Sequence, residues 1–281
     1  MRKRLLDVIA VSSAVIGLLV MHYPVVATVL TALDTADATR AETVTVGDTT
    51  GLIRDAEKFN KRLQAEPVLD PWLNKVRSPA NKRYMEYMST MNLGNGLMAE
   101  LLIPVIGVKL PVYHDTTDNV LEKGAGHLFG SHLPVGGEGM MSVIAAHRGL
   151  PNATMFDRLP ELRKGDRAVI IAGSMKRVYK VVDSNTVLPS DVHSLHATPG
   201  ADRLVLVTCT PYGVNTHRLL VEFERDLTAE RSIDDSDLAV PWFKRLPNWV
   251  WAAAVFDIIV INGVAIVTAA RKRRKHSSEV N

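Results

Sequence analysis

Short apolar runs separated by glycine and proline make up most of the chain after residue 97. Seven of these runs have the length and composition of β-strands, and they read MAELLIP, GVKLPVYH, MMSVIAAH, RAVIIAG, RVYKVVDSNTVL, RLVLVTC and RLLVEFER. The dipeptide Gly173-Ser174, between the fourth and fifth runs, is typical of a hairpin turn. Strands at this spacing predict a closed barrel or a sandwich. A short helix is predicted at about residues 152–162, between two of the runs.

The segment before these runs has a helical pattern. Apolar residues recur there at steps of four and three, which places them on one face of a helix; they are Leu52, Ala56, Phe59 and Leu63. A second helix is predicted at about residues 81–91. Between the two helices, EPVLDPWLNKVRSP is punctuated by proline, so this stretch cannot continue a helix.

Both ends of the chain carry long apolar segments. The first, residues 8–33, follows Arg2, Lys3 and Arg4, and the second, residues 249–270, precedes a basic tail. The second segment alone exceeds the ~20 apolar residues that a bilayer core requires. Because Lys and Arg concentrate at the two outer flanks, we expect both termini in the cytoplasm. The pattern predicts a two-pass protein of the cell membrane, with the middle of the chain on the extracellular face.

Two features of the terminal segments affect this topology. Ala36-Asp37-Ala38 resembles a cleavage site, so the first segment could be a signal peptide that is removed. Its apolar stretch is longer than the usual core of about 7–15 residues, which favours an uncleaved anchor. Asp257 and Asn262 are polar groups within the second segment. Such groups often face a partner helix, which favours packing of the two segments against each other.

Charge and motifs exclude several classes of function. The net charge is only +3, and much of its positive part lies at the two ends, which argues against a nucleic-acid surface. Neither G-x-x-x-x-G-K-[ST] nor G-x-G-x-x-G occurs, so a nucleotide site has no support. His193 and His196, in HSLH, lack the further ligands that a zinc site needs. No acidic cluster in the sequence demands calcium.

Cys209 is the only cysteine in the chain, and it ends an apolar run. Thiols outside the cytoplasm are usually paired, but a single cysteine cannot pair within its own chain. It is either a buried, inert small hydrophobe or a nucleophile. If the runs before and after residues 210–217 pair antiparallel, Cys209 leaves one strand where Arg218 enters the next. The hairpin would bring together a thiol and a guanidinium, whose planar donors suit an oxyanion.

A thiol nucleophile also needs a group that accepts and donates a proton, usually histidine. His147 repeats the pattern of Cys209, since it follows the apolar strand SVIAA. His217 is the rival, although a neighbour of Arg218 points to the opposite face of a strand. His127 and His132, in GHLFGSHLP, are plausible residues on the substrate side of such a site.

TCTPYGVNTHR and, upstream, AAHRGLPNATMF closely resemble the sortases, and in detail the class C, pilin-polymerising sortases. The resemblance extends over IPVIGVKLPVYH, GAGHLFGSHLPVGGEG and the turn Gly165-Asp166. It implies a mainly β fold, an eight-stranded β-barrel with N-terminal helices and a lid, and the two transmembrane helices predicted from the apolar pattern flank this domain. The predicted segments are an anchor, a helical preface with the lid, the barrel, a linker, a transmembrane helix and a basic tail, at 1–33, 34–96, 97–230, 231–248, 249–270 and 271–281.

Carried over to this sequence, the resemblance makes Cys209 the nucleophile, His147 the general acid and base, and Arg218 the residue that steadies substrate and oxyanion. It also implies a lid at Asp70-Pro71-Trp72, with Asp70 contacting Arg218 and the Trp72 ring lying against Cys209. Without the resemblance, the sequence predicts a turn at Asp70-Pro71 and a place for Trp72 in the hydrophobic core.

The sequence departs from the family pattern at two places. Val205 stands where threonine is more usual, and LLVEFERD follows Arg218 in place of basic and glycine residues. Both departures affect the groove and leave the three catalytic positions unchanged.

The implied reaction is transpeptidation at an LPxTG-like sorting signal. The thiolate attacks between Thr and Gly, and an amine resolves the resulting thioester; for the pilin class this amine is a lysine of the next pilin. The family implies no metal and no organic cofactor. The alternatives are a housekeeping sortase that anchors surface proteins to peptidoglycan precursors, a cysteine protease, and a two-pass membrane scaffold whose cysteine is incidental.

Overall fold

The computed structural model describes residues 12–13, 16–17, 20, 22–30, 49–63, 81–150, 153–194, 196–234, 236–246, 249–260, 262–263 and 266. The chain divides into two compact units. One comprises residues 1–27 and 246–281, and the other comprises residues 28–245. The larger unit contains all the strands and the predicted site residues that are described.

Eight strands form a closed barrel in the larger unit. They are β1 (Leu97–Ile103), β2 (Val108–His114), β3 (Ala125–His127), β4 (Met140–Ala145), β5 (Arg167–Ala172), β6 (Met175–Val187), β7 (Asp202–Thr210) and β8 (His217–Arg225). Their order around the barrel is β1-β2-β3-β4-β7-β8-β6-β5, and β5 closes onto β1. Two neighbouring pairs, β2–β3 and β4–β7, are parallel, and the other pairs are antiparallel.

All seven strand-like runs of the sequence become strands, and the Gly173-Ser174 turn joins β5 to β6 as predicted. Gly173 has a φ of +58°, and a Cβ atom at this position would overlap the side chain of Thr49. Glycine is therefore required there both by the backbone and by the close approach of Thr49. The eighth strand, β3, is only three residues long and does not follow from the apolar pattern.

Among the described residues from 49 to 245, four α-helices accompany the barrel: α1 (Thr50–Arg62), α2 (Lys82–Ser89), α3 (Asp118–Leu121) and α4 (Leu227–Ser232). The predicted apolar face of α1 is confirmed, since Ala56 and Phe59 are buried in the largest core cluster. Asn60 on the same helix exchanges two hydrogen bonds with the backbone of Leu133, at 2.9 and 2.8 Å. These bonds attach α1 to the loop between β3 and β4.

The helix predicted at residues 152–162 is wrong for the residues that the structure describes. From Ala153 onward this segment consists of turns and one short 3₁₀ helix, Leu159–Glu161. Pro160 lies within that turn, where it provides no backbone N–H for a helical hydrogen bond. The segment instead folds back toward the end of β4, through a hydrogen bond of 3.1 Å from the Phe156 N–H to the His147 carbonyl.

Helical residues 22–27 and 249–260 lie in the smaller unit. Nε2 of His22 is 2.7 Å from Oδ2 of Asp257, so the two terminal segments pack together at this pair. Among the described residues, no helix is both long and apolar enough to cross a bilayer. The predicted transmembrane helices, at 1–33 and 249–270, include many residues outside the described part and stay predictions. The lid residues Asp70, Pro71 and Trp72 also lie outside it.

Candidate active site

Cys209 and Arg218 are direct partners across the antiparallel pair β7–β8. Residues directly opposite each other in such a pair project from the same face of the sheet. The predicted hairpin therefore forms, and it brings the thiol and the guanidinium to one side of the barrel. Both residues are largely buried, with exposed fractions of 8 % for Cys209 and 7 % for Arg218.

His147 lies at the same end of the neighbouring strand. β4 and β7 run parallel, and their last paired residues are Ala145 and Val207. The ladder extends one step further, since the Ala146 N–H donates to the Val207 carbonyl at 3.2 Å. His147 follows Ala145 by two residues, and Cys209 follows Val207 by two residues. The strand order β4-β7-β8 therefore places His147, Cys209 and Arg218 side by side at one end of the barrel.

The alternation of side chains along these strands separates two apolar layers. Leu204 and Leu206 of β7 belong to the largest core cluster, whereas Val205 and Val207 belong to a second cluster. That second cluster consists of Leu128, Met141, Val143, Ala145, Val205, Val207 and Leu220, with Val187 and Ala197 packed against it. Cys209 shares the face of Val205 and Val207, and Arg218 shares the face of Leu220. An apolar floor thus extends from the thiol along the outer face of the barrel.

The β7–β8 loop supports the guanidinium of Arg218. Nη1 of Arg218 donates to the carbonyl oxygens of Asn215 and His217, at 3.3 Å each. Asn215 adopts a φ of +61°, a conformation that asparagine tolerates better than most residues. These bonds restrict where the guanidinium can lie, which favours a fixed orientation of its remaining donors.

The surroundings of His147 control its charge. Burial lowers the pKa of His147, while the negative charges of Asp118 and Glu122 raise it in part. At neutral pH the imidazole is therefore neutral, and a neutral imidazole can accept a proton from a thiol. His217, the rival from the sequence, precedes Arg218 on β8 and so points to the opposite face. Its Nδ1 is 2.9 Å from Oγ1 of Thr216.

His127 and His132, for which the sequence predicted a place on the substrate side, both hydrogen-bond to backbone groups of the barrel and its loops. His127 is fully buried, with Nδ1 3.1 Å from the Tyr87 hydroxyl and Nε2 2.8 Å from the His132 carbonyl oxygen. Burial lowers the pKa of His127 to about 3, so the ring is neutral. His132 is partly buried, and its Nδ1 accepts the Met141 N–H at 3.2 Å. Both rings thus have a structural role, and full burial keeps His127 from contacting a substrate, whereas a substrate-side position for His132 stays a prediction.

The described residues contain no group of three or more His, Cys, Asp or Glu side chains placed to bind a metal ion. Within this part of the chain, the residues that converge on the thiol are an imidazole and a guanidinium. Such a set suits nucleophilic attack with proton transfer and oxyanion stabilisation.

A loop that supports the site did not follow from the sequence pattern. Residues 148–150 follow His147, residues 153–157 return to it, and the Gly149 N–H donates to Oδ1 of Asp157 at 2.7 Å. Burial raises the pKa of Asp157 to about 6, although this hydrogen bond and the Arg148 charge both oppose the shift. The sequence signal for this loop was His147-Arg148-Gly149, which is part of the resemblance to sortases. The spacing of residues alone assigned no role to Arg148.

A family model described as "Sortase domain" matches residues 101–226 of this chain. Among solved structures, sortase C-1 from Actinomyces oris is 44% identical, with a TM-score of 0.60 over 63% of this chain and 96% of that one. The Pilus Island 1 sortase C2 of Group B Streptococcus is 36% identical, with a TM-score of 0.57 over 64% of this chain and 99% of that one.

A curated relative, sortase D of Bacillus subtilis strain 168, is 32% identical over 112 residues. The match covers 40% of this chain and 54% of that relative, so the chain spans about half of its length. The family match, residues 101–226, includes β4, β7 and β8, at whose ends His147, Cys209 and Arg218 lie. The segment that matches the family model therefore contains the thiol, the imidazole and the guanidinium of the candidate site.

Proposed function

The chain belongs to the sortase family, with class C sortases among its structural neighbours, and from this premise we propose that it is a cysteine transpeptidase. Its proposed substrate is a protein with an LPxTG-like sorting signal, cleaved between Thr and Gly. The observation that carries this proposal is the convergence of His147, Cys209 and Arg218 on one end of three neighbouring strands.

The first half of the proposed reaction forms a thioester. His147 accepts the proton of the Cys209 thiol, and the thiolate attacks the carbonyl carbon of the substrate threonine. The negative charge that develops on the carbonyl oxygen faces the guanidinium of Arg218. The His147 imidazolium then donates its proton to the glycine nitrogen, the Thr–Gly bond breaks, and the peptide with the new amine leaves.

The second half transfers the acyl group to an amine. The incoming amine attacks the thioester carbonyl and loses a proton to His147. Arg218 again stabilises the oxyanion, and collapse of the intermediate releases the Cys209 sulfur as the new amide forms. His147 returns a proton to the thiolate, which restores the starting state. No further cofactor is needed to balance these two steps.

The apolar floor supports the choice of an amine over water. The floor residues next to the site are buried, with Ala145 and Val207 at 0 % exposure and Leu220 at 3 %. Because these residues have almost no exposed surface, the thioester would be shielded from solvent on this side. Val205, at the position where the resemblance leads one to expect threonine, belongs to the same floor. It makes this part of the groove more apolar than a threonine would.

We propose that the amine is a lysine of the next pilin, so that the product is an isopeptide-linked fibre. This rests on the class C neighbours, one of which comes from a pilus island. The lid Asp70-Pro71-Trp72 is part of the same proposal, as are the two-pass membrane topology and the extracellular position of the barrel. The alternative substrate is a surface protein that a housekeeping sortase attaches to a peptidoglycan precursor.

The decisive experiment is intact-mass spectrometry of the full-length chain after incubation with an LPxTG-type peptide. We expect a covalent adduct on Cys209 that forms faster in Trp72→Ala and is absent in Cys209→Ala. Added lysine should attack the adduct and release the acyl peptide joined to lysine through an amide bond. A protease would release only the hydrolysed acid. Absence of an adduct in both lid forms, with a thiol that reacts normally with iodoacetamide, would count against this substrate class.

A further inference from the structure

One side chain joins the two strand ends that carry His147 and Cys209. Nη1 of Arg148 donates to Oγ1 of Thr210 at 3.0 Å, and Thr210 directly follows the cysteine. Nε of the same guanidinium donates to the carbonyl oxygen of Asp157 at 3.3 Å. Its Cζ atom lies 5.6 Å from the centre of the Tyr212 ring, in the β7–β8 loop. Arg148 therefore contacts the chain on both sides of the site.

We propose that Arg148 is a positioning residue, which fixes the separation between the His147 imidazole and the Cys209 sulfur. It acts through its neighbours on either side and takes no part in the proton transfers. The inference rests on the proposed function and adds to it a residue that neither the resemblance nor the spacing assigned.

The loop after β4 gives Arg148 a rigid base from which to act. The Phe156 N–H donates to the His147 carbonyl at 3.1 Å, and the Gly149 N–H donates to the Asp157 carboxylate at 2.7 Å. The residues before and after Arg148 are thus both bonded to the 156–157 turn. A movement of the Thr210 anchor relative to this turn would change the position of His147 relative to Cys209.

Arginine is the side chain that suits this position. Its planar guanidinium presents Nε and Nη1 in different directions, so it can bond Asp157 and Thr210 at the same time. The flat face remains available to stack on the ring of Tyr212, a residue that is about half exposed. A lysine ammonium is a single point donor on a flexible stem, and it would not fix both segments.

The chain offers a matched control in the same segment. Arg158 is also partly buried, and it bonds the Glu161 carboxylate at 2.7 Å and the Ile106 carbonyl at 3.1 Å. These partners lie outside the three strand ends of the site. Arg158→Met therefore removes an arginine of similar burial without touching the bridge between His147 and Cys209.

The first test compares steady-state kinetics of the full-length chain with an LPxTG-type peptide. We expect Arg148→Met to lower kcat by about 10- to 100-fold, because misplacing reacting groups by about 1 Å costs rate at this scale. KM should stay within about twofold, since no peptide contact is removed. Thr210→Val should have a similar effect, and the double variant should be no worse than Arg148→Met. A kcat equal to native, or an equal loss in Arg158→Met, would overturn the inference.

A second test needs no peptide. The rate of Cys209 alkylation by iodoacetamide is measured against pH in the native chain, His147→Gln, Arg148→Met and Thr210→Val. If Arg148 positions the imidazole, both of the last two profiles move from the native profile toward that of His147→Gln. Thr210→Val leaves the guanidinium in place, so it provides the answer if Arg148→Met does not fold.

The two tests separate the inference from the proposed function. Superposition of the native and Arg148→Met profiles would overturn the positioning role, whatever the peptide assay shows. If the variants shift the pH profile as expected but the native protein turns over no sorting peptide, only the proposed substrate is contradicted. Coincident native and His147→Gln profiles would show that thiol and imidazole are uncoupled, which would overturn both.

Discussion

The hydroxyl of Thr208 donates a hydrogen bond of 2.8 Å to the carbonyl oxygen of Ala146. Thr208 precedes Cys209 and Ala146 precedes His147, so this bond joins the two backbones one residue before each reacting side chain. Thr208 is fully buried. A buried hydroxyl with a partner stabilises the fold modestly, whereas a buried carbonyl that loses its donor is costly.

Thr208→Val tests this bond, because it keeps the side-chain shape and removes the donor. We expect the free energy of unfolding to fall by about 1–2 kcal/mol, the cost of leaving the Ala146 carbonyl without this partner. Urea unfolding of the full-length chain measures the change. Thr216→Val, on the exposed β7–β8 loop, is the control and should unfold like native. Equal stability of both variants would mean that another group satisfies the Ala146 carbonyl.

Arg218→Lys replaces a planar set of donors by a point charge while keeping the positive sign. We expect kcat/KM toward a sorting peptide to fall by about 10²–10³-fold, the usual cost of losing an oxyanion donor. The thermal midpoint should change little. Arg203→Lys, at the other end of β7 and paired with Glu222 at 2.8 Å, is the matched control. Full activity in Arg218→Lys would remove this residue from the mechanism.

The buried His127 makes the fold sensitive to acid. Its pKa is about 3 in the folded chain and 6.5 in an ordinary environment, so folding favours the neutral ring. Its contribution to stability is therefore complete above pH 6.5 and is lost as the pH falls from 6.5 toward 3. Between pH 6.5 and 5 one such group costs about 2 kcal/mol.

His127→Asn removes the titrating ring, so its unfolding free energy should depend less steeply on pH between 6.5 and 5 than that of native protein. The same comparison with exposed His196→Asn should show a slope like native. Denaturant unfolding at both pH values checks this. An unchanged slope in His127→Asn would place the acid sensitivity elsewhere, for example at His114, whose pKa burial also lowers.

Asp118 and Glu122 are exposed carboxylates whose charge raises the pKa of His147 against the larger effect of burial. The double variant Asp118→Asn, Glu122→Gln should therefore lower the His147 pKa further below its ordinary value. Titration of the imidazole C2 proton by NMR would detect the shift. Asp55→Asn, on the exposed side of α1, should leave it unchanged. A pKa that rises in the double variant would contradict the assigned sign.

The sequence predicted those parts of the fold whose pattern is local. The β7–β8 hairpin has two apolar strands and a turn-rich loop, and from these the pairing of Cys209 with Arg218 follows. The strand β3 escaped prediction because its three residues, Ala125–His127, include a glycine and a buried histidine. Only its neighbours in the barrel determine that it is extended. Similarly, the role proposed for Arg148 depends on Thr210 and Asp157, which tertiary folding brings near it.

The closed barrel has a consequence for how a peptide can be held. Along most of their length β7 and β8, which carry Cys209 and Arg218, are paired with a neighbour on both sides, so these two strands leave little free edge to which an extended peptide could add its own backbone ladder. At these two strands, recognition of the proposed sorting signal would depend on side-chain pockets over the outer face and on the loops around it. Changes in these loops alone would then alter which substrate binds, while the strands that position His147, Cys209 and Arg218 remain unchanged.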